Sequence, residues 1–411
     1  MIRLIIKVLW YKFLIRNIMN KHIKTWALIF FLPLSLMAQQ SVDDILLQIE
    51  KNNTTLLALK KRVEAETIGN KSGIYIPNPE AEFNYLWGSP GNIGNRTDFS
   101  IKQSLDFPTA YRFKNQISDL KNEQILLEYQ KELYTIRLQA KMLSFDVIYY
   151  NALIDELSTR VTYARQIAQS YQSKFDVGET NILEYNKAQL NLLNAGKTLE
   201  STEVERNAQL AELTRLNGGI PVEITENEFQ PVVLPGSFDQ WISQAEQQNP
   251  MLAWINKEIE ISRKQEGLSK ALGLPKLQAG YMSESVVGQQ FQGVTVGVSV
   301  PLWENKNRVK YAKANSLALE SVEADNKVQF YNHLKTHYNK AAGLQQNVAG
   351  YREGLSEFYN SVFLKTALDK GEISLINYIT EFSFYYESIN NLLITERDLN
   401  KANAELNQFM P

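Results

Sequence analysis

Few side chains in this 411-residue chain have much chemical reach. Only three histidines occur. Two of them, His333 and His337, stand four residues apart, which puts both on one face of a helix. Two imidazoles are the beginning of a metal site, but such sites take three or four ligands, and the chain has no Cys to supply thiolates. His333 and His337 therefore read first as a packed or solvated pair, and only as weak candidates for metal contact. There is no nucleophile–base constellation, no glycine-rich phosphate loop and no metalloprotease motif, so neither an enzyme nor a cofactor is expected. What remains is carboxylate and glycine. Asp176-Val177-Gly178-Glu179 and Asp369-Lys370-Gly371-Glu372 repeat one pattern 193 residues apart. Glycine at its third place suits a tight reversal between helices, because it enters the left-handed backbone region without strain.

That recurrence belongs to a larger one. At an offset of 196, residues 41–64 match 237–260 at eight of 24 positions, Asn53/Asn249 among them. At an offset of 193, residues 176–213 match 369–406 at eleven of 38, ending in Ala211-Glu212-Leu213 against Ala404-Glu405-Leu406. The chain reads as a tandem duplication. Repeat 1 is 41–217 and repeat 2 is 237–409, joined by a non-helical connector, 218–236, that holds Pro221, Pro231 and Pro235. Each repeat opens with a helix, for which Ser237 with Gln240 forms a capping box and Ser41 with Asp44 a looser one. A β-hairpin follows, at 80–107 and at 276–302. In the first, Ala81, Phe83, Tyr85 and Trp87 alternate with Glu80, Glu82 and Asn84, and Phe99, Ile101, Leu105 and Phe107 with Ser100, Lys102, Ser104 and Asp106. The second sets Val294, Val296, Val298, Val300 and Leu302 against Thr295, Gly297 and Ser299. Strands of this length and alternation suit the wall of a membrane barrel, and equally two half-buried soluble hairpins.

The segments after the hairpins favour the barrel. From Leu126 through Tyr129, Leu133, Ile136, Ala140, Leu143 and Val147 to Ala168, Tyr171 and Phe175, apolar positions alternate three and four apart, a coiled-coil seam. Leu344, Val348, Tyr351, Leu355, Phe358 and Val362 continue a shorter version in repeat 2. Long helices over 112–176 and 308–369 are expected, each followed by a returning helix, 180–217 and 373–409. The first long helix would reach roughly 95 Å, too long for a compact domain. The returning and opening helices, stacked end to end, would together match it at roughly 105 Å.

This arrangement, twice over, resembles the TolC-like outer-membrane efflux family across the whole chain after its leader. The resemblance implies a mixed α and transmembrane β fold. Three subunits of four strands would close a 12-stranded β-barrel, continued by a long α-helical coiled-coil barrel in the periplasm. It also implies a homotrimer that works as a passive conduit with a periplasmic adaptor and an inner-membrane pump of the resistance-nodulation-division type. The tip residues Asp176, Gly178, Glu179, Asp369, Gly371 and Glu372 would meet the adaptor. Glu184, Asn377, Thr380 and Glu381 would stand at the periplasmic gate, where Asn377 replaces the acid found opposite at Glu184. Pro77-Asn78-Pro79-Glu80 at the start of the first strand resembles the heavy-metal subset, the cobalt–zinc–cadmium and copper–silver ducts.

The N-terminus fits export. Residues 1–38 read as a signal peptide, with Met19 an alternative start: Lys21 and Lys24 precede an apolar run from Trp26 to Met37, closed by Ala38. No Cys follows to carry a lipid anchor. Removing six of the 43 basic residues and none of the 45 acidic ones leaves a net charge of about −8, which argues against nucleic acid as a partner. No later apolar run is long enough for a helical span, so a membrane-embedded part would have to be strands lying against outer-membrane lipid. The rival is a periplasmic coiled-coil scaffold or adaptor whose hairpins are soluble.

Overall fold

The computed structural model describes residues 41–358 and 361–410, and the leader proposed from the sequence lies outside them. The chain opens with α1 (Val42–Asn52) and α2 (Thr54–Gly69), then forms β1 (Glu80–Leu86) and β2 (Arg96–Leu105). Two helices follow, α3 (Pro108–Asp176) and α4 (Ile182–Leu216). The same order then recurs as α5 (Phe238–Gln248), α6 (Pro250–Ala271), β3 (Lys276–Val286), β4 (Gln289–Ser299) and α7 (Arg308–Glu357), completed by α8 (Ser361–Asp369) and α9 (Leu375–Leu406).

Each expected opening helix is in fact two. The breaks fall at Asn53 and Asn249, both only 4% exposed and both with extended ψ values, 119° and 111°. Pro250 accounts for the second break, since its ring disfavours helical geometry in the residue before it. At Asn53 the side chain does the work. Its Oδ1 accepts from the Leu56 N–H at 3.0 Å, capping α2, while its Nδ2 donates to the Leu216 carbonyl at 2.8 Å, closing the end of α4. Asn52 Nδ2 donates to Asn217 Oδ1 at 3.0 Å beside it. This is the joint between the stacked short helices. It is tight enough that a Cβ on Gly218 (φ +67°) would lie 2.4 Å from the Asn52 carbonyl oxygen. Ser237 stands at the N-cap of α5, but its side chain makes no capping hydrogen bond, so the expected capping box is not formed.

α3 has 69 residues, about 104 Å at 1.5 Å per residue, and packs against α1, α2 and α4. Ile136, Ala140, Val147, Leu157, Val161, Ala164 and Ala168 of the expected seam are buried. Its two ends deviate. Leu126 is exposed while Ile125 and Gln124 turn inward, because α6 covers that stretch from another side and Gln124 Nε2 reaches Glu258 Oε2 at 2.7 Å. Phe175 is pulled out of the seam to stack on Tyr185 across the turn.

The second long helix does not run 308–369 as expected. α7 ends at Glu357, Phe358 is exposed at its C-cap with φ −103°, and α8 begins at Ser361. Gly343, Gly350 and Gly354 lie in the last turns with open space where a Cβ would stand. Each costs a helix about 1 kcal/mol relative to Ala without gaining a contact. The connector 218–236 is a packed strap. Ile224 is fully buried, Asn151 Nδ2 donates to the Ile224 and Glu226 carbonyls, and the Tyr338 hydroxyl donates to the Pro235 carbonyl.

Candidate functional site

The two glycine-centred turns have the same hydrogen-bond geometry. Gly178 (φ +78°) donates to the Phe175 carbonyl at 3.0 Å and Glu179 to the Lys174 carbonyl at 2.8 Å. Gly371 (φ +75°) donates to Leu368 at 3.0 Å and Glu372 to Ala367 at 2.8 Å. Each is a Schellman closure that satisfies the last helical carbonyls through a left-handed residue. Asp176 and Asp369 end their helices, and Asp176, Glu179, Asp369 and Glu372 are all exposed. The returning helices are capped at equivalent places, Asn181 Oδ1 accepting from the Glu184 N–H and Ser374 Oγ from the Asn377 N–H. These two caps were legible in the sequence as Asn or Ser three residues before Glu184 or Asn377, a pattern the gate reading passed over.

One hydrophobic cluster joins the hairpins: Ala168 of α3, Ala188 of α4, Leu368 of α8, and Leu375, Tyr378 and Phe382 of α9. Both tips therefore lie at the same end of the helical part. Just inside them, Arg160 ties α3 to α9. Its Nη2 donates to Asn390 Oδ1 at 2.9 Å and to the Tyr386 carbonyl at 3.3 Å, and the guanidinium lies 4.1 Å from the Tyr386 ring centre. Burial pushes the Tyr378 phenol up to about 12 and raises that of Tyr386 still further, with the Arg160 charge opposing the latter shift. Neither Arg160 nor Tyr386 stood out in the sequence, since a long-range cation–ring pair leaves no local spacing.

The proposed gate residues do not converge within one chain. Glu184 lies in the first turn of α4 and pairs with Lys187 at 2.8 Å. Thr380 returns its hydroxyl to the Ile376 carbonyl at 2.8 Å. Glu381 lines a cavity of about 320 Å³ with Tyr351, Phe358, Phe382 and Phe384, between α7 and α9. His333 and His337 pack ring against ring at 4.4 Å, far along α7 from the tips, and His337 Nδ1 stands 2.5 Å from Glu405 Oε2. Burial lowers the His337 pKa and Glu405 opposes the shift. Among the described residues no three His, Asp or Glu side chains gather as a metal site.

At the other end the four strands form one antiparallel sheet in the order β1-β2-β3-β4. The register sets Ala81, Ile101, Tyr281 and Val294 in one row, with Phe83 and Phe99, Ala279 and Val296, and Leu105, Leu277 and Val298 in neighbouring rows of the same face. The opposite face carries Glu80, Glu82, Asp98, Lys102 and Glu284, with Gly280, Gly293 and Gly297. The apolar face is uncovered: Val294 is 83% exposed and Trp87 81%. Among the described residues β1 and β4 are each paired on one side only, so the sheet presents two open edges. No helix among the described residues is long and apolar enough to cross a membrane.

Nine-tenths of this chain superimposes on solved structures of one architecture. A structure of CusC matches with a TM-score of 0.75 at 12% identity, covering 90% of this chain and 92% of that one. The fold is that of outer-membrane channel subunits. The Campylobacter jejuni CmeC outer membrane channel matches at 0.71 and 14% identity (90% and 85% covered), and the outer-membrane channel OprN at 0.71 and 12% (90% and 89%). In sequence, the alkaline protease secretion protein AprF of Pseudomonas aeruginosa is 24% identical over 282 residues, 61% of this chain. The match spans 56% of that curated relative, little more than half its length. No family model matches the chain. An uncovered apolar face and open sheet edges of this kind are unusual on an isolated soluble domain.

Proposed function

We propose that this chain is one subunit of an outer-membrane efflux conduit of the TolC-like family. Three copies would close their sheets into a 12-stranded barrel and their helices into a periplasmic tunnel. The observation that carries this reading is the four-stranded sheet with an uncovered apolar face, a charged opposite face and two unpaired edges. In lipid, unpaired strand edges cost several kcal/mol per backbone group, so such a sheet is stable there only when closed. The tandem duplication fits this assembly, because each repeat supplies one hairpin to the wall and one helical hairpin to the tunnel. The tips at Gly178 and Gly371 are the part exposed for an adaptor, which would deliver substrate from an inner-membrane pump. The subunit supplies no energy of its own. Metal cations are the first cargo to test, on the strength of the carboxylates of the charged face and the Pro77–Glu80 sequence.

The similarity to AprF, an alkaline protease secretion protein, favours a second cargo, a secreted polypeptide. The two readings share one first experiment. The protein is purified from outer membranes in detergent, tested for heat-resistant trimers, and recorded in a planar bilayer. Small, cation-selective steps from a trimer are expected. A soluble monomer released by osmotic shock would replace the conduit with a periplasmic scaffold. Deleting the gene and measuring metal tolerance against protease secretion then separates the cargoes.

A further inference from the structure

The sheet meets the helices at four junctions: residues 70–79, 106–115, 270–278 and 301–315. Together these carry nine Lys and Arg against two Asp and Glu, in a chain whose net charge is −2. The ladder places the junctions at one level, since Leu105 pairs with Leu277 and Lys276 with Ser299. Arg112 lies in the opening turns of α3, and Arg308 and Lys310 in those of α7. Lys114, Lys270 and Lys276 have carboxylate partners in Asp106, Glu266 and Glu304. Arg112, Lys306, Arg308 and Lys310 are exposed and form no ion pair among the described residues. The two turns at the far end of the sheet, 87–95 and 287–288, hold no charged residue. The excess of cations therefore lies at one rim only.

The same rim exposes Tyr75, Trp303 and Tyr311, each more than 70% accessible. Tyr75 lines a largely apolar cleft of about 440 Å³ with Ile74, Ile76, Leu105, Pro108, Tyr111 and Leu277, and with Asp106, whose carboxylate is paired with Lys114. Leu105 and Leu277 belong to the uncovered apolar face, so the cleft opens directly onto it. Amphipathic rings and basic side chains at the edge of an apolar band are what the boundary between acyl chains and anionic headgroups selects.

We propose that this helix-side rim is a binding surface for anionic phospholipid, an acyl chain lying in the cleft and the phosphate meeting Arg112, Lys306, Arg308 and Lys310. The proposal rests on the barrel reading above.

The test is native mass spectrometry of the detergent-purified assembly, with phosphatidylglycerol or phosphatidylcholine of identical chains added. The wild type is expected to retain phosphatidylglycerol at least tenfold more tightly. Replacing all four cations by Gln should abolish that preference, while the assembly still inserts and conducts. Equal retention of the two lipids by an inserted wild-type assembly would overturn the lipid surface and leave the conduit standing. Displacement of bound lipid by glycerol 1-phosphate would identify a free-phosphate site instead and overturn the lipid assignment. A chain that never enters bilayers would sink the conduit reading and this one with it.

Discussion

The barrel reading is most exposed at a pair of neighbouring residues on β4. Val294 is the central residue of Gln289–Ser299, five from either end, and stands on the apolar face opposite Tyr281. Gly293, one residue away, faces the charged side opposite Met282, with open space where a Cβ would stand. Eleven residues at about 3.3 Å each, tilted by about 40°, span roughly 28 Å, so position 294 falls near the bilayer midplane. An arginine there costs about 2–4 kcal/mol per chain, while the same residue on the inner face costs close to nothing. Val294→Arg should shift insertion by roughly 30- to 900-fold per chain, and three copies in one barrel multiply the effect. Gly293→Arg should insert like the wild type, since successive side chains in a strand point to opposite faces. The assay is refolding into liposomes, scored by the heat-resistant oligomer on gels, with outer-membrane content in cells as a second measure. Equal insertion of the two variants, or a greater defect from Gly293→Arg, would refute the assignment of faces.

Other outcomes follow from the helical part. Asn53→Ala removes an N-cap and strands a buried carbonyl, costing about 2–4 kcal/mol, whereas Asn249→Ala removes only the cap to Met251, about 1 kcal/mol. Thermal unfolding followed by circular dichroism should rank them in that order, and equal losses would deny the joint at Leu216. Gly178→Val and Gly371→Val meet no atom within 4 Å of the new Cβ, so their cost is the left-handed backbone alone, roughly 1–2 kcal/mol and local. Export should fall with the amount of inserted protein unchanged, and normal export by both variants would remove the tips from the working site. The depressed His337 pKa makes its contribution to stability complete above about 6.5, the unfolded value, and lost as pH falls toward the folded value. Its ring faces Glu405, His333 and Lys340, so the effect is tested against His337→Gln. The variant should lose less stability between pH 7 and 5 than the wild type, and parallel curves would count against it.

The sequence carried the gross architecture because that part depends on periodicity. Seven-residue seams and two-residue alternation are local, and Val147 or Val294 announces its face by its neighbours alone. Breaks were harder to see. Asn53 and Asn249 were visible as matched residues of the repeat, yet a matched asparagine says nothing of a bend until its partner, the Leu216 carbonyl 163 residues away, is known. Phe358 continued the apolar spacing of its helix, and the spacing test gave no weight to three glycines that weaken the last turns without adding a contact. The site shows the same division. Gly178 and Gly371 needed only a backbone argument. Glu184 was singled out as an acid when its position also makes it the capped first turn of α4.

The weak places in the fold are unevenly distributed, and that bears on how the proposed tunnel would open. α3 is continuous for 69 residues and tied to its neighbours by buried contacts along its length. α7 ends short, and the short helix α8 is held chiefly through Leu364 and Leu368 in the tip cluster. A cavity lined by Tyr351, Phe358, Glu381 and Phe384 lies where α7 gives way to α8. The Arg160 clamp joins the continuous helix to α9 at Tyr386 and Asn390, next to the cavity-lining Tyr385 and Ser388. In the proposed tunnel, an outward swing of the second hairpin can be taken up at Phe358, where α7 ends, while Arg160 holds α9. In the first hairpin the uninterrupted α3 offers no such hinge. Dilation of the tips should thus begin in the second repeat, the one whose Asn377 and Thr380 put the fewest charges at the end.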